Sequence, residues 1–358
     1  MAPVGECWIA CGAGPLKRQP KAEYTERRVG RWRSGIVPGD QTPCRTEPRW
    51  HAARHKHLMT TTLYIIGNGF DRHHGIRSAY EDFGAFLKIH DSTIYGLIEE
   101  YFSIDDEYWS SFEARLANFD AHALKERASD FLIPYSADEW RDSSHHDFQF
   151  EIERVVGALS RDLKSQFARW IRQLEVPDPT TIPSKLLRLN TSATFLNFNY
   201  TGSLITLYGV RPDQLLHIHG SAADADNELI LGHGWNAKDR RSFNHGLDLE
   251  ETDTREAEGN QIIDRYFEQT FKHTDRVIAA HQSFFEGLRE TQQIIVMGHS
   301  LADVDLPYFE EIIRHVDGPR VRWRVSYYLD DDPPKFRRQL ERLGVPGHSV
   351  EFHRLAEL

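Results

Sequence analysis

The chain has 358 residues, 40% hydrophobic and 27% charged, which is enough apolar material for one large domain or two modest ones. Its formal charge of -11 argues against a broad nucleic-acid face, because neutralising phosphates requires a basic stripe, and no run approaches the roughly 18 apolar residues of a membrane span. Cys7, Cys11 and Cys44 all precede residue 59, so the body can hold neither a disulfide framework nor a thiolate metal site, and a reducing cytoplasm is the expected compartment.

Residues 1–58 carry eleven Lys/Arg against five Asp/Glu, and removing that +6 from the total leaves -17 for residues 59–358. The leading segment is rich in Gly, Pro and Arg and has neither a helical nor a strand period. We expect a disordered leader there, with translation starting at Met59, immediately before the first strand. The stretch around Trp8-Ile9-Ala10 is too short for a signal peptide and carries Glu6.

The body opens with a buried strand at 63–66, followed by helix at 73–95, where Tyr80, Phe83, Phe86, Leu87 and Ile94 recur at three- and four-residue steps. More helix follows through Leu97 to Leu116. The clearest helix spans 147–175, ended by Pro177 and Pro179. A helical insertion over about 73–190 thus separates the first strand from the second. From 192 the pattern alternates short strands (193–198, 214–218, 228–232, 293–297, 321–328, 349–353) with helices (202–208, 260–290, 305–316, 334–343). Such alternation implies parallel βαβ units, hence an α/β fold with a Rossmann-like parallel sheet. The acidic stretch 236–258 reads as a mobile loop or lid.

Five apolar runs end in small or polar clusters: Gly67-Asn68-Gly69-Phe70-Asp71, Asn199-Tyr200-Thr201, His219-Gly220-Ser221, Gly232-His233-Gly234 and Gly298-His299-Ser300. In an open α/β sheet, ligands sit at the carboxyl ends of the strands, so these clusters are expected to converge on one site. Gly67 and Gly69 suit a tight turn against a phosphate, although Arg72 stands where a third glycine would complete the dinucleotide fingerprint. The Asn199 amide offers both donor and acceptor to a ribose, while the alternative is a turn residue. His219 can accept a proton near neutrality. Gly298, His299 and Ser300 suit nucleotide contacts and Asp303 a ribose diol, with helix capping as the plainer role. Glu113, in Trp109-Ser110-Ser111-Phe112-Glu113, is either a solvated neighbour of aromatic core residues or a pocket group. No metal is expected, since cysteines and an H-E-x-x-H pattern are lacking from the body.

In order and spacing, Ile66-Gly67-Asn68-Gly69-Phe70-Asp71, Trp109 with Phe112-Glu113, Phe198-Asn199-Tyr200-Thr201, His219-Gly220-Ser221 and Gly298-His299-Ser300-Leu301 through Asp303, Asp305 and Leu306-Pro307-Tyr308-Phe309 resemble the bacteriophage abortive-infection AbiH family. That family in turn is similar, remotely, to sirtuin-like NAD-consuming domains. The resemblance implies an antiphage protein that takes NAD as substrate, is set off by a phage-derived trigger, and is left free to form a homo-oligomer. It implies catalytic roles for Asn199 and His219. Binding roles would fall to Gly67 through Asp71, Tyr200, Gly220, Ser221, Gly298, His299, Ser300 and Asp303. Asp71 and Thr201 depart from the sirtuin pattern, and the four-cysteine module of deacylating sirtuins is missing. The implied reaction is therefore NAD glycohydrolysis rather than protein deacylation. The rivals are a metal-dependent nuclease-like toxin using Glu113, Asp303, Asp305 and the histidines with a divalent metal, and a non-catalytic nucleotide-binding module.

Overall fold

The computed structural model describes residues 61–358 apart from 139, 226, 227 and 249. The expected leader, with Cys7 and Cys11, lies outside the described residues.

Six parallel strands form a single sheet: β1 (Thr62–Ile66), β2 (Thr194–Asn197), β3 (Leu215–His217), β4 (Gln293–Met297), β5 (Arg322–Tyr327) and β6 (Val350–Arg354). Their spatial order is β3-β2-β1-β4-β5-β6, the doubly wound arrangement in which the order reverses between β1 and β4. The fold is α/β, with a Rossmann-like sheet. Strand residues are apolar on both sides because both faces are covered. Leu63, Ile65, Leu196, Ile294, Val296 and Trp323 share one core with residues of the C-terminal helices. Tyr64, Ile66, Phe195, Ile295 and Met297 share the other with Phe70 and Leu204.

Between β1 and β2 run α1 (Asn68–His73), α2 (Tyr80–His90), α3 (Ser92–Tyr101), α4 (Phe112–Arg115), α5 (Ala121–Ala128), α6 (Asp147–Gly157) and α7 (Leu163–Ile171). A π turn at Ala158–Asp162 joins α6 to α7, so the expected long helix is continuous but holds one widened turn. The helix expected at 73–95 is instead three. Gly75, at φ 86°, breaks the first, and Asp91 caps α3 by accepting from the Ile94 amide at 3.1 Å.

After β2 come α8 (Ser203–Tyr208), β3, and α9 (Thr254–Gln269), which packs along α6 and joins the helical block's core. Then follow α10 (Thr274–Ala280), α11 (Gln282–Glu286), β4, α12 (Leu306–His315), β5, α13 (Asp332–Arg342) and β6.

Two further expectations fail for tertiary reasons. The run at 228–232 is not a strand. Leu229 and Leu231 bury into the helical block, while Ile230 bonds sideways, its amide to the His219 carbonyl and its carbonyl to the Tyr200 hydroxyl. The helix expected at 260–290 stops at Gln269 and restarts at Thr274. The intervening chain pairs with His233, whose amide donates to the Thr270 carbonyl and whose carbonyl accepts from the Lys272 amide, both at 2.9 Å. The acidic stretch 236–258 is docked on α9 through Arg240 and Ser242 to Asp264 and through Asn244 to the Ala257 carbonyl.

Candidate active site

The first turn after β1 meets the turn after β4 backbone to backbone. The Gly67 amide donates to the Met297 carbonyl at 2.9 Å and the Gly69 amide to the Gly298 carbonyl at 2.7 Å. A Cβ on Gly298 would lie 2.1 Å from the Phe70 nitrogen, and Gly298 sits at φ 68°. These glycines therefore let two loops touch at the switch point, and their amides are already engaged. The rest of the turn is equally committed. Asn68 exchanges hydrogen bonds with Ser78 through its amide and carbonyl. Phe70 packs on His74 and Tyr208. Asp71 is fully buried and accepts from Thr201 Oγ1 at 2.5 Å and Ser203 Oγ at 2.7 Å. Burial raises its pKa, and the Ser203, Thr201 and Asn199 bonds only partly offset this.

Past β2, the Asn199 amide donates to the Gly67 carbonyl at 3.0 Å, fixing the first turn from the side. His217 Nδ1 lies 2.9 Å from the Asn199 carbonyl, and burial lowers its pKa. Tyr200 points into the helical block, its ring edge-on to Phe167. Gly220, at φ 89°, turns the chain after His219, and Ser221 Oγ accepts from the Ala223 amide at 3.3 Å.

His219 is the member of these clusters that faces unsatisfied chemistry. Its ring stands edge-on to Phe198, and Nε2 is buried without a hydrogen-bond partner. That nitrogen lies 3.6 Å from Asp305 Oδ1. Burial first, then the Lys272 charge, push its pKa down to about 3, against the pull of Asp305. His299 Nδ1 accepts from the Leu301 amide at 2.9 Å, so Nε2 carries the proton toward Asp305 Oδ2 at 3.5 Å. Leu301 is at φ 52°, the non-glycine residue in the left-handed region among those described, and its carbonyl accepts from Gln339 at 2.7 Å.

Asp305 is the hub. Burial opposes its charge, but Lys272, His299 and His219 together hold its pKa below the usual aspartate range. Lys272 Nζ lies 3.3 Å from Asp305 Oδ1 and 2.5 Å from Glu113 Oε2, with its side chain wholly out of solvent. The two carboxylates keep its pKa raised despite burial. The second oxygen of Glu113 accepts from the Tyr80 hydroxyl. Burial and Glu113 drive the pKa of Tyr80 well above the usual range. Glu113, Asp305 and Lys272, two carboxylates and one ammonium, sum to a net charge of -1. Such a buried triad is costly unless every partner stays in place. Glu113 and Asp305 retain 15% and 13% of their side-chain exposure against none for Lys272, so the carboxylates form its accessible edge. Tyr308, fully buried beside the His219 ring, leaves its hydroxyl without a partner.

The structure thus gathers His219 and His299 with Glu113 and Asp305. It holds Asn199 and Gly67 through Asp71 one layer away in structural bonds, and leaves Ser300 and Asp303 exposed. Gly232-His233-Gly234 lies at no strand end. Lys272, Tyr80 and Tyr308 complete the cluster, and none of the three is marked as a site residue by the sequence. Lys272 has no local signature, since a single lysine in an apolar–polar alternation looks solvated. Among the described residues, no group of three or more His, Cys, Asp or Glu is arranged to hold a metal ion, and no helix is long and apolar enough to cross a membrane.

Residues 63–327 match the family described as Bacteriophage abortive infection AbiH. No curated protein and no solved structure matches the chain. With the match running from β1 through β5, and so over the whole cluster, the chain belongs to the bacteriophage abortive infection AbiH family.

Proposed function

We propose that the chain acts in abortive infection by hydrolysing the nicotinamide–ribose bond of NAD, with Glu113, Lys272, Asp305 and His219 as the reacting centre. The observation that carries this reading is a buried cluster of net charge -1 at the carboxyl ends of a sheet in the order of dinucleotide-binding folds. The choice of NAD follows from the remote sirtuin-like resemblance expected from the sequence motifs.

The charge suits the reaction. Nicotinamide departs from the pyridinium with the electron pair of the C–N bond and leaves as a neutral molecule, so no general acid is needed. Positive charge develops on the ribose at C1′, where carboxylates stabilise an oxocarbenium-like transition state. Water then forms the new C1′–O bond, and its proton passes to a base. The His219 imidazole, neutral and with Nε2 unpartnered, is placed to take it. Because bond breaking leads, a weak base suffices, and the carboxylates carry most of the rate. Asn199 acts by holding the Gly67 turn rather than by touching water, which shifts the weight from Asn199 to Glu113 and Asp305.

In the conformation described, the cluster is nearly sealed. Opening it is the step that a phage-derived trigger would supply, and a sealed resting state keeps an NAD-consuming enzyme harmless. The test is nicotinamide release from NAD by the full chain, with and without lysate from phage-infected cells. Release that is lost in Glu113→Gln and Asp305→Asn supports the reading. Intact NAD in cells where the chain still blocks phage would overturn it.

A further inference from the structure

Away from the cluster, between the α6–α7 helix, α9 and the residues Ala225, Glu228 and Leu229, lies a cavity of about 690 Å³. Arg161, Lys164, Arg172 and Arg265 line it, with Glu153 and Glu228 as the opposing charges. Arg161 also pairs with Asp162 beside the cavity at 3.0 Å, so the four cations exceed these three carboxylates by one, in a body of opposite overall sign. The volume falls in the range of small-molecule sites, about 300–1,000 Å³. Arg161 sits on the π turn, a distortion that recurs at functional sites in helices.

The walls of this cavity lead to the reacting centre by two short routes. Lys164 Nζ donates to the Gln269 carbonyl at 2.6 Å, the last residue of α9 and three positions before Lys272. On the other wall, the chain after Glu228 bonds His219 through the Ile230 amide at 2.9 Å, and then grips Thr270 and Lys272 through His233. An anion that draws the Lys164 ammonium from Gln269 therefore acts on the segment that delivers Lys272. Burial lowers the pKa of this lysine, and Glu228 opposes the shift, so a phosphate close by would favour its charged form.

We propose that this cavity binds a multiply phosphorylated small molecule, and that its occupancy shifts the segments carrying His219 and Lys272. The binding half stands by itself. The regulatory half rests on the reading of the cluster as the reacting centre.

The experiment uses inorganic tripolyphosphate and the full chain, with calorimetry at low and moderate salt. We expect saturable binding that weakens with salt, and a loss of about tenfold or more in Arg161→Gln/Arg265→Gln and again in Lys164→Met. No saturable binding, or equal affinity in these variants, overturns the site. Hydrogen exchange on the same samples tests the coupling: tripolyphosphate should alter the amides of 228–233 and 269–272 in the parent chain and not in Lys164→Met. Binding without any change in those amides overturns the coupling. Neither readout depends on NAD turnover, so failure of the proposed reaction and failure of this site are separable.

Discussion

At the carboxyl edge of the sheet, two neighbouring regions have opposite characters. Where β1 and β4 meet, the order of the strands reverses, and a ligand crevice is expected. There, Gly67, Gly69 and Gly298 bring two backbones into direct contact with their amides satisfied. A strand and a loop away, Glu113, Lys272, Asp305 and His219 concentrate charge in a nearly dry setting. One region is small, neutral and saturated; the other is charged and leaves a ring nitrogen and a hydroxyl unanswered. Glycine-rich turns at strand ends thus serve two different ends, closing loops on one another or admitting a ligand. Only the partners of their amides tell which.

The contrast is broken most severely by removing its one cation. Lys272→Met leaves Glu113 and Asp305 facing each other, and should cost about 3–5 kcal/mol, read from the denaturant midpoint. Adding Glu113→Gln should recover part of that loss, and a Lys272→Met chain as stable as the parent would deny the triad any energetic role. The neutral region should break through shape. Gly298→Ala forces a Cβ to 2.1 Å from the Phe70 nitrogen at a positive φ, and should cost about 3 kcal/mol or prevent folding.

Acid sharpens the comparison, because it charges the buried histidine of the charged region, whereas in the glycine turn it neutralises Asp71, whose raised native pKa favours the protonated form. The pKa of His219 is about 3 in the native chain and ordinary, near 6.5, when unfolded. Between those values the unfolded chain binds a proton that the native chain does not, so stability falls as pH drops from about 6.5 toward 3, by about 1.4 kcal/mol per unit. Burial puts His233 in the same position, with a native pKa of about 4. Asp305, whose pKa is lowered, adds its own loss only once pH falls into the usual aspartate range. Urea titrations from pH 7 to 4 should show this slope, flattened in His219→Gln. A smaller change is expected from Asn199→Ala, which frees the Gly67 carbonyl and should cost about 1–3 kcal/mol without the large rate loss of a reacting group.

The sheet was legible from sequence because its strands are buried on both faces, and runs such as Leu63-Tyr64-Ile65-Ile66 and Gln293 through Met297 are short and nearly all apolar. The same signal misled at Leu229-Ile230-Leu231, where burial comes from packing on helices rather than from a ladder. Of the site, His219, Glu113 and Asp305 were visible as candidates. Glu113 was obscured by its aromatic neighbours, and Asp305 by the exposed Asp303. Lys272 was invisible, since what makes it unusual is burial between two carboxylates distant in the chain. Periodicity cannot report that, because the pattern of the helix expected over 260–290 continues across the break at Thr270 through His273.

The most direct test of the central claim is a phage challenge of cells expressing the parent chain, Asp305→Asn or Gly96→Ala, with NAD measured through infection. Gly96 lies in α3 with open space around it, so its replacement should leave the fold intact or slightly stronger, by about 0.5–1 kcal/mol. The account predicts NAD loss and protection for the parent and Gly96→Ala, and neither for Asp305→Asn at equal protein levels. Protection by Asp305→Asn equal to that of the parent would contradict it.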